Sequence, residues 1–417
     1  MSQAHEADAV ASVHETRCVI VGAGPAGLVL GLLLARGGVP VTVLEAHPDF
    51  DREFRGDTVH PPTLELLAQL GLADRLHQLP HGKLRALRVR TKSATITLAD
   101  LGRLRTPFPY VMMIPQAKLL ELLAEEARRL PDFRLVMQAN VQRLVEADGA
   151  VRGVRFRDRE NRWHEVRANL TVAADGRFSK LRHLAGIEPV KTAPPMDVVW
   201  FRLPRRPGDP AESADLYLAG GRFAIVLDRG EDWQIGYIIL KGSFAAIRSE
   251  GIAALRTGLA ELVPWLADRV DQLHDWKQVA VLNVESSRVE RWYKPGLLLL
   301  GDAAHVMSPV GGVGINVAIQ DAVAAANELT GPLRRGAVTE RDLAAVQRER
   351  EFAVKVVQRV QRVIQNRIAA PGLVAGRDFR LPWWLRLLTA VPGLRNLPAR
   401  MLAIGPRRVR LRDDGPA

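Results

Sequence analysis

An α/β fold is predicted, and three stretches of the chain predict it. Cys18 to His47 reads strand, glycine turn, helix, strand; Gly296 to Leu329 reads strand, glycine-rich loop, helix; Arg222 to Gly242 reads as an antiparallel hairpin around the turn "DRGED". The first two describe a Rossmann-like nucleotide-binding domain, and the third a second lobe of α+β type built on antiparallel sheet. With 417 residues and 47% hydrophobic content, the chain can bury a large core shared between two such lobes.

The first sixteen residues, "MSQAHEADAVASVHET", lack the basic start and apolar centre of a signal peptide and are expected to form a flexible tail. No apolar run reaches the length of a membrane span. A single cysteine, Cys18, excludes an intrachain disulfide and suits a reducing, cytoplasmic setting. The net charge of +12 raises a nucleic-acid partner, but the basic residues alternate with acids, as in "RERE" (Arg348 to Glu351), so none is expected.

From Cys18 the strand "CVIV" is apolar and β-branched, as a buried parallel strand must be. Gly22, Gly24 and Gly27 then fit G-x-G-x-x-G: a tight turn, a place where a pyrophosphate approaches the backbone, and a close contact of helix on strand. Pro25 and Ala26 open the helix, whose free N–H groups and positive dipole end favour phosphate. After Gly37 and Gly38 the strand "VTVLEA" ends at Glu45 and Ala46, and Glu45 is placed to accept hydrogen bonds from ribose hydroxyls. This fingerprint does not by itself distinguish FAD from NAD(P).

The second stretch makes that choice. "LLLLG" is a buried strand with Gly301 and Asp302 at its carboxyl end; the loop "HVMSPVGGVG" leads into a helix near Ile315. An Asp at that place can accept from a ribityl hydroxyl, while backbone N–H groups near Gly312, Gly314, Ile315 and Asn316 face an electron-rich ring edge or an oxyanion. A nicotinamide dinucleotide has no ribityl chain, so FAD is the expected cofactor, held noncovalently.

With these motifs and a third, "AADGRFSKLR" (Ala173 to Arg182), the sequence resembles the class A flavoprotein monooxygenases, FAD-dependent aromatic hydroxylases of the para-hydroxybenzoate hydroxylase type. The resemblance runs from about Arg17 to Leu329, with the three motifs in order. It implies cofactor contacts from Asp175 and Gly176, from Arg55 at the pyrophosphate, from Gln116 beside the ribityl chain, and from Ala46 and Val141. It also implies that the Pro309 loop faces substrate and flavin, with His305 a weaker catalytic candidate. It further implies a discontinuous FAD-binding domain (17–80, 108–190 and 280–330), an antiparallel-sheet substrate domain (81–107 and 191–279), and a C-terminal helical region (331–417). Val226, Ile235 and Tyr237 are placed along the substrate cavity. Arg229, near the family's carboxylate-binding arginine, falls in the hairpin turn and is expected to be exposed, which argues against a benzoate-type substrate.

The implied reaction takes electrons from transiently bound NAD(P)H and one oxygen atom from O2, through a flavin C4a-hydroperoxide, onto an aromatic or polyketide-like ring. No metal is expected, since histidines and cysteine never fall at ligand spacing. Two alternatives keep the cofactor: a dehydrogenase or reductase without oxygen insertion, and a non-catalytic flavin-binding protein at a membrane surface. The second draws on Arg380 to Arg412, where tryptophans, leucines and arginines are broken by prolines; a cap packed on the flavin lobe is the favoured reading.

Overall fold

The computed structural model describes residues 9–51, 56–210, 213–374, 391 and 396–412. A mainly parallel sheet orders its strands Tyr293–Lys294, Leu297–Leu299, Trp163–Ala173, Val10–Val21, Val41–Leu44 and Phe133–Val136, with Ala150–Arg157 added antiparallel to Trp163–Ala173 and Asn140–Ala147 antiparallel to Ala150–Arg157. Helix Pro25–Arg36 crosses from the first strand to its parallel neighbour, and ten of its residues are buried. Apolar residues all round that helix are what a helix sandwiched in a core requires. It packs between the sheet and the long helix Gly314–Arg334.

The first strand begins at Val10, so residues 10–16 are not a loose tail. They pair in parallel with Trp163 to Ala168, beyond the part of the sheet that helices cover, and most of them are exposed. A ribbon open to water on both faces carries polar side chains on both, which is why its sequence does not look like a strand.

The second lobe is a seven-stranded sheet in the order Ala280–Leu282, Met196–Pro204, Asp232–Leu240, Arg222–Asp228, Ser213–Ala219, Ala86–Arg90 and Thr95–Asp100. The hairpin read from the sequence is present, pairing Phe223 with Ile238 through Asp228 with Trp233. Strand Gly82–Leu84 instead joins Thr58–Val59 and Val111–Met113 in a small sheet between the lobes. One face of the seven-stranded sheet is covered by helix Ile252–Leu262, over a core of Val226, Trp233, Ile235 and Leu259. The other face looks toward the nucleotide-binding domain.

Helix Gly314–Arg334 runs past the expected boundary at residue 330, and helix Glu340–Ile364 packs back along it. A final helix, Asn396–Ala403, lies against strand Thr95–Asp100. The tryptophan-bearing part of the proposed membrane segment, with Trp383 and Trp384, lies outside the described residues. Among the described residues no helix is long and apolar enough to cross a membrane.

Candidate active site

Between the two sheets runs one continuous cavity of about 1090 Å³. Its nucleotide end is built by the first turn. Gly22 sits at φ +103°, and a Cβ there would lie 2.3 Å from the Ala174 carbonyl oxygen, so only glycine passes. Gly24 differs: a Cβ would meet nothing within 4 Å, because its Cα faces the cavity. Helix Pro25–Arg36 starts there with no side chain capping it, which leaves its N–H groups for a ligand. Gly27 does not line the cavity; it lets the helix settle on the Gly22 carbonyl.

Glu45, Ala46 and His47 form the wall at the end of the second strand. Glu45 Oε2 accepts from the Ala23 N–H at 2.9 Å, bracing the turn, and Oε1 accepts from the His47 N–H at 3.1 Å and lies 2.7 Å from its Nδ1. Burial opposes ionisation of Glu45, but the hydrogen bonds from His47 and Ala23 outweigh it and hold the carboxyl below its ordinary range. A carboxylate kept ionised is an acceptor for ribose hydroxyls.

Asp175 and Gly176 face the same end, with Val141 opposite. Asp175 accepts from the Ser179 hydroxyl at 2.5 Å and from the N–H groups of Lys180 and Leu181 at 2.8 and 3.1 Å, so it caps the helix Lys180–Leu184. Burial pushes its carboxyl up against those bonds. Arg182 of that helix donates to the Ala303 carbonyl at 2.9 Å, tying this motif to the Asp302 turn. Gly301 and Asp302 line the cavity in a single 3-10 turn beyond strand Leu297–Leu299, beside Gly312, Gly314, Ile315 and Asn316.

The Asn316 side chain works as a clasp. Its Oδ1 accepts from the His60 N–H and the Thr63 hydroxyl, both at 2.8 Å, and its Nδ2 donates to the Thr58 carbonyl at 3.3 Å. That holds the 58–63 segment to the start of helix Gly314–Arg334. Gln116 lines the cavity at the head of helix Gln116–Ala127, its N–H donating to Asp57 Oδ1 at 3.3 Å. Arg55 lies outside the described residues.

Pro309 lines the cavity, and the sequence reading missed what holds it. Gln361 Nε2 donates to the carbonyls of Ser308 and Val310 at 2.9 and 2.8 Å, while Gln358 Nε2 donates to those of Ser287 and Val306. Gln358, Gln361 and Gln365 are all buried, and their spacing of three and four puts them on one helical face. That glutamine stripe was a legible sign of backbone being held.

Three expectations are corrected. His305 does not line the cavity; it is 1% exposed, with Nε2 2.7 Å from Asp321 Oδ2, and Arg350 Nε donates to Asp321 Oδ1 at 2.8 Å. A ring locked into that buried triad is not presented to a substrate. Val226, Ile235 and Tyr237 also point away, into the core under helix Ile252–Leu262. Side chains alternate along a strand, so the cavity face carries their neighbours instead: Ile225, Leu227, Gln234 and Ile238. Arg229 is 9% exposed, not solvated: its Nε lies 3.0 Å from Asp57 Oδ2 and its Nη1 3.1 Å from both Asp232 carboxylate oxygens, because the hairpin turn is folded under Gly82. Burial pushes the Asp57 carboxyl up, against the pull of Arg229.

The far half of the cavity is apolar. Met196, Val198, Trp200, Leu216, Ile225 and Ile238 form its sheet wall, and Leu402 and Ile404 of the C-terminal segment face them. His60 Nδ1 lies 3.1 Å from the Leu402 carbonyl oxygen, and the Val409 N–H donates to Gln320 at 3.4 Å, fastening that segment in place.

The FAD binding domain family model matches residues 15–360. The chain belongs to this family. The chain is 34% identical to 6-methylpretetramide 4-monooxygenase of Streptomyces rimosus over 404 residues, 96% of this chain and 95% of that enzyme. It is 29% identical, over 73% of its own length and 60% of the relative's, to the 12-dehydrotetracycline 5-monooxygenase/anhydrotetracycline 6-monooxygenase of Streptomyces rimosus subsp. rimosus. Its fold matches OxyS anhydrotetracycline hydroxylase from Streptomyces rimosus with a TM-score of 0.73 at 25% identity, covering 93% of this chain and 76% of that one. PqsL of P. aeruginosa in complex with 2-aminobenzoylacetate shares the fold at TM-score 0.75 and 21% identity, covering 86% of this chain and 98% of that one. The protein is an FAD-dependent monooxygenase, and the reading as a non-oxygenating dehydrogenase or a non-catalytic flavin protein is set aside.

Proposed function

We propose that the monooxygenase hydroxylates a fused-ring, polyketide-type aromatic substrate, using NAD(P)H and O2, in the apolar half of its cavity. The observation that carries this reading is the continuity of the cavity. The glycine turn, Glu45 and the Asp302 turn open into the same space as the wall of Val198, Ile225, Leu227 and Ile238. Ligand pockets commonly enclose roughly 300–1,000 Å³, and this cavity of about 1090 Å³ has room for a dinucleotide and several fused rings together. The two curated relatives described above are named for 6-methylpretetramide and for tetracycline-type molecules, which supports the substrate class.

The residues fit FAD. Gly24 and the open start of helix Pro25–Arg36 would take the pyrophosphate, Glu45 the adenosine ribose, Asp302 and Gln116 the ribityl region, and the backbone at Gly314 to Asn316 the ring edge. When bound, the cofactor supplies the hydride acceptance and oxygen activation that no side chain can. The chain orients the substrate ring, and its apolar wall excludes water that would compete for a reactive oxygen species. A cytoplasmic enzyme with a small-molecule partner fits this reading.

The test is turnover by the FAD-loaded protein with 6-methylpretetramide or anhydrotetracycline as probe. The expected result is NAD(P)H oxidation and O2 uptake that rise when the probe is added, with a product heavier by one oxygen atom. NAD(P)H oxidation that yields only hydrogen peroxide with every fused-ring phenol supplied would overturn it.

A further inference from the structure

Among the described residues, the strand side chains of the seven-stranded sheet that line the cavity are apolar with one exception. Along strand Asp232–Leu240, Trp233, Ile235, Tyr237 and Ile239 pack on the far side under helix Ile252–Leu262. On the near side Gln234 lines the cavity beside Leu227, its cross-strand partner. Gln234 is 5% exposed, and its side-chain carbonyl oxygen has no hydrogen-bond partner. A buried amide oxygen left unpaired is costly, and a leucine or isoleucine would fill this place without that cost. Its neighbours Ile225 and Leu227 have no polar atom to offer it, and Arg202, its partner on the other neighbouring strand, makes no hydrogen bond to that oxygen.

A buried group that no side chain of the protein pairs, turned toward a substrate chamber, has its partner in the substrate. We propose that the Gln234 carboxamide hydrogen-bonds a ring oxygen of the substrate, a phenolic or enolic hydroxyl, and so selects oxygenated rings and fixes which edge of the ring faces the flavin. This rests on the ring-hydroxylase reading and deepens it. Gln234 is a positioning and specificity residue; no proton or electron passes through it. A site that hydrogen-bonds a substrate hydroxyl discriminates against the analogue lacking it, because the amide is then left buried and unpaired.

The experiment compares two probes of one shape, 1-naphthol and naphthalene, titrated into the FAD-loaded protein and followed by the flavin absorbance change. Wild type, Gln234→Met, which keeps length without hydrogen bonding, and Gln234→Glu, which keeps an acceptor, are compared. The preference for 1-naphthol over naphthalene is expected to fall roughly fivefold to tenfold in Gln234→Met. It should be retained in Gln234→Glu, while naphthalene binding and the melting temperature of Gln234→Met stay equal to wild type or rise. The absence of any hydroxyl-dependent difference between wild type and Gln234→Met overturns the assignment. Oxygen uptake that never responds to ring compounds, with the binding preference intact, would instead sink the hydroxylase reading alone.

Discussion

Gly22 and Gly24 stand two residues apart in the same motif, yet their substitution should fail in different ways. An alanine at Gly22 must hold φ near +103° and put its Cβ 2.3 Å from the Ala174 carbonyl oxygen. The backbone conformation costs about 1–2 kcal/mol and the overlap with fixed backbone about 1–3 kcal/mol, so roughly 2–5 kcal/mol of stability is lost with or without ligand. An alanine at Gly24 meets no protein atom within 4 Å and sits at an ordinary φ of −74°. The protein itself should not notice it. The methyl projects where the pyrophosphate is expected to pass, and a displacement there should raise the Kd for FAD at least about tenfold, or 1.4 kcal/mol. The assay is two measurements on each variant: thermal unfolding of the apoprotein, and fluorescence titration with FAD. Gly22→Ala should melt several degrees low, and Gly24→Ala should melt with wild type but bind FAD weakly. If Gly24→Ala binds FAD as wild type does, the pyrophosphate does not cross that glycine.

Asp302→Ala should fold normally and lose FAD on gel filtration, since a charge-assisted hydrogen bond to a ribityl hydroxyl is worth about 1.5–3 kcal/mol; unchanged affinity would give Asp302 a purely structural role. Ile235→Ala, deep in the core at 0% exposure, should cost about 2–5 kcal/mol in urea unfolding, whereas Ile225→Ala on the cavity face should mainly weaken aromatic-probe binding. Reversed effects would contradict the assignment of faces. Asp321→Asn leaves Arg350 buried against a neutral partner and should destabilise by about 3–5 kcal/mol, seen as a lowered unfolding midpoint at pH 7. Burial lowers the His60 pKa to about 4. The unfolded chain therefore takes up the proton first, and stability falls as pH drops from about 6.5 toward 4, by roughly 3 kcal/mol in all. His60→Asn should flatten that part of the unfolding-midpoint profile, and an unchanged slope would assign it to other groups.

What the sequence made legible was whatever is local. The turn at Gly22, the acid at Glu45 and the Asp302 loop each depend on residues within one strand–turn–helix unit, so their pattern carries their structure. What it could not show depends on neighbours from elsewhere in the chain. Alternation along Arg222 to Leu240 announced two faces, but only helix Ile252–Leu262 decides which is core, and Val226, Ile235 and Tyr237 were placed on the wrong one. Arg229 looked like a solvated turn charge because its partner, Asp57, lies far away in sequence. The strand from Val10 to Thr16 was hidden by its own exposure.

The order in which the cavity's walls occur along the chain sets the order in which they are made. Apart from the glutamine brace on helix Glu340–Ile364, the side chains and turns assigned to the cofactor lie between Gly22 and Asn316, whereas Leu402 and Ile404, which face the sheet wall, are among the later residues. Chains emerge from the ribosome N-terminus first and fold in that order. The groove assigned to the nucleotide is therefore synthesised before the helix Asn396–Ala403 and the wall it lends to the opposite side of the chamber.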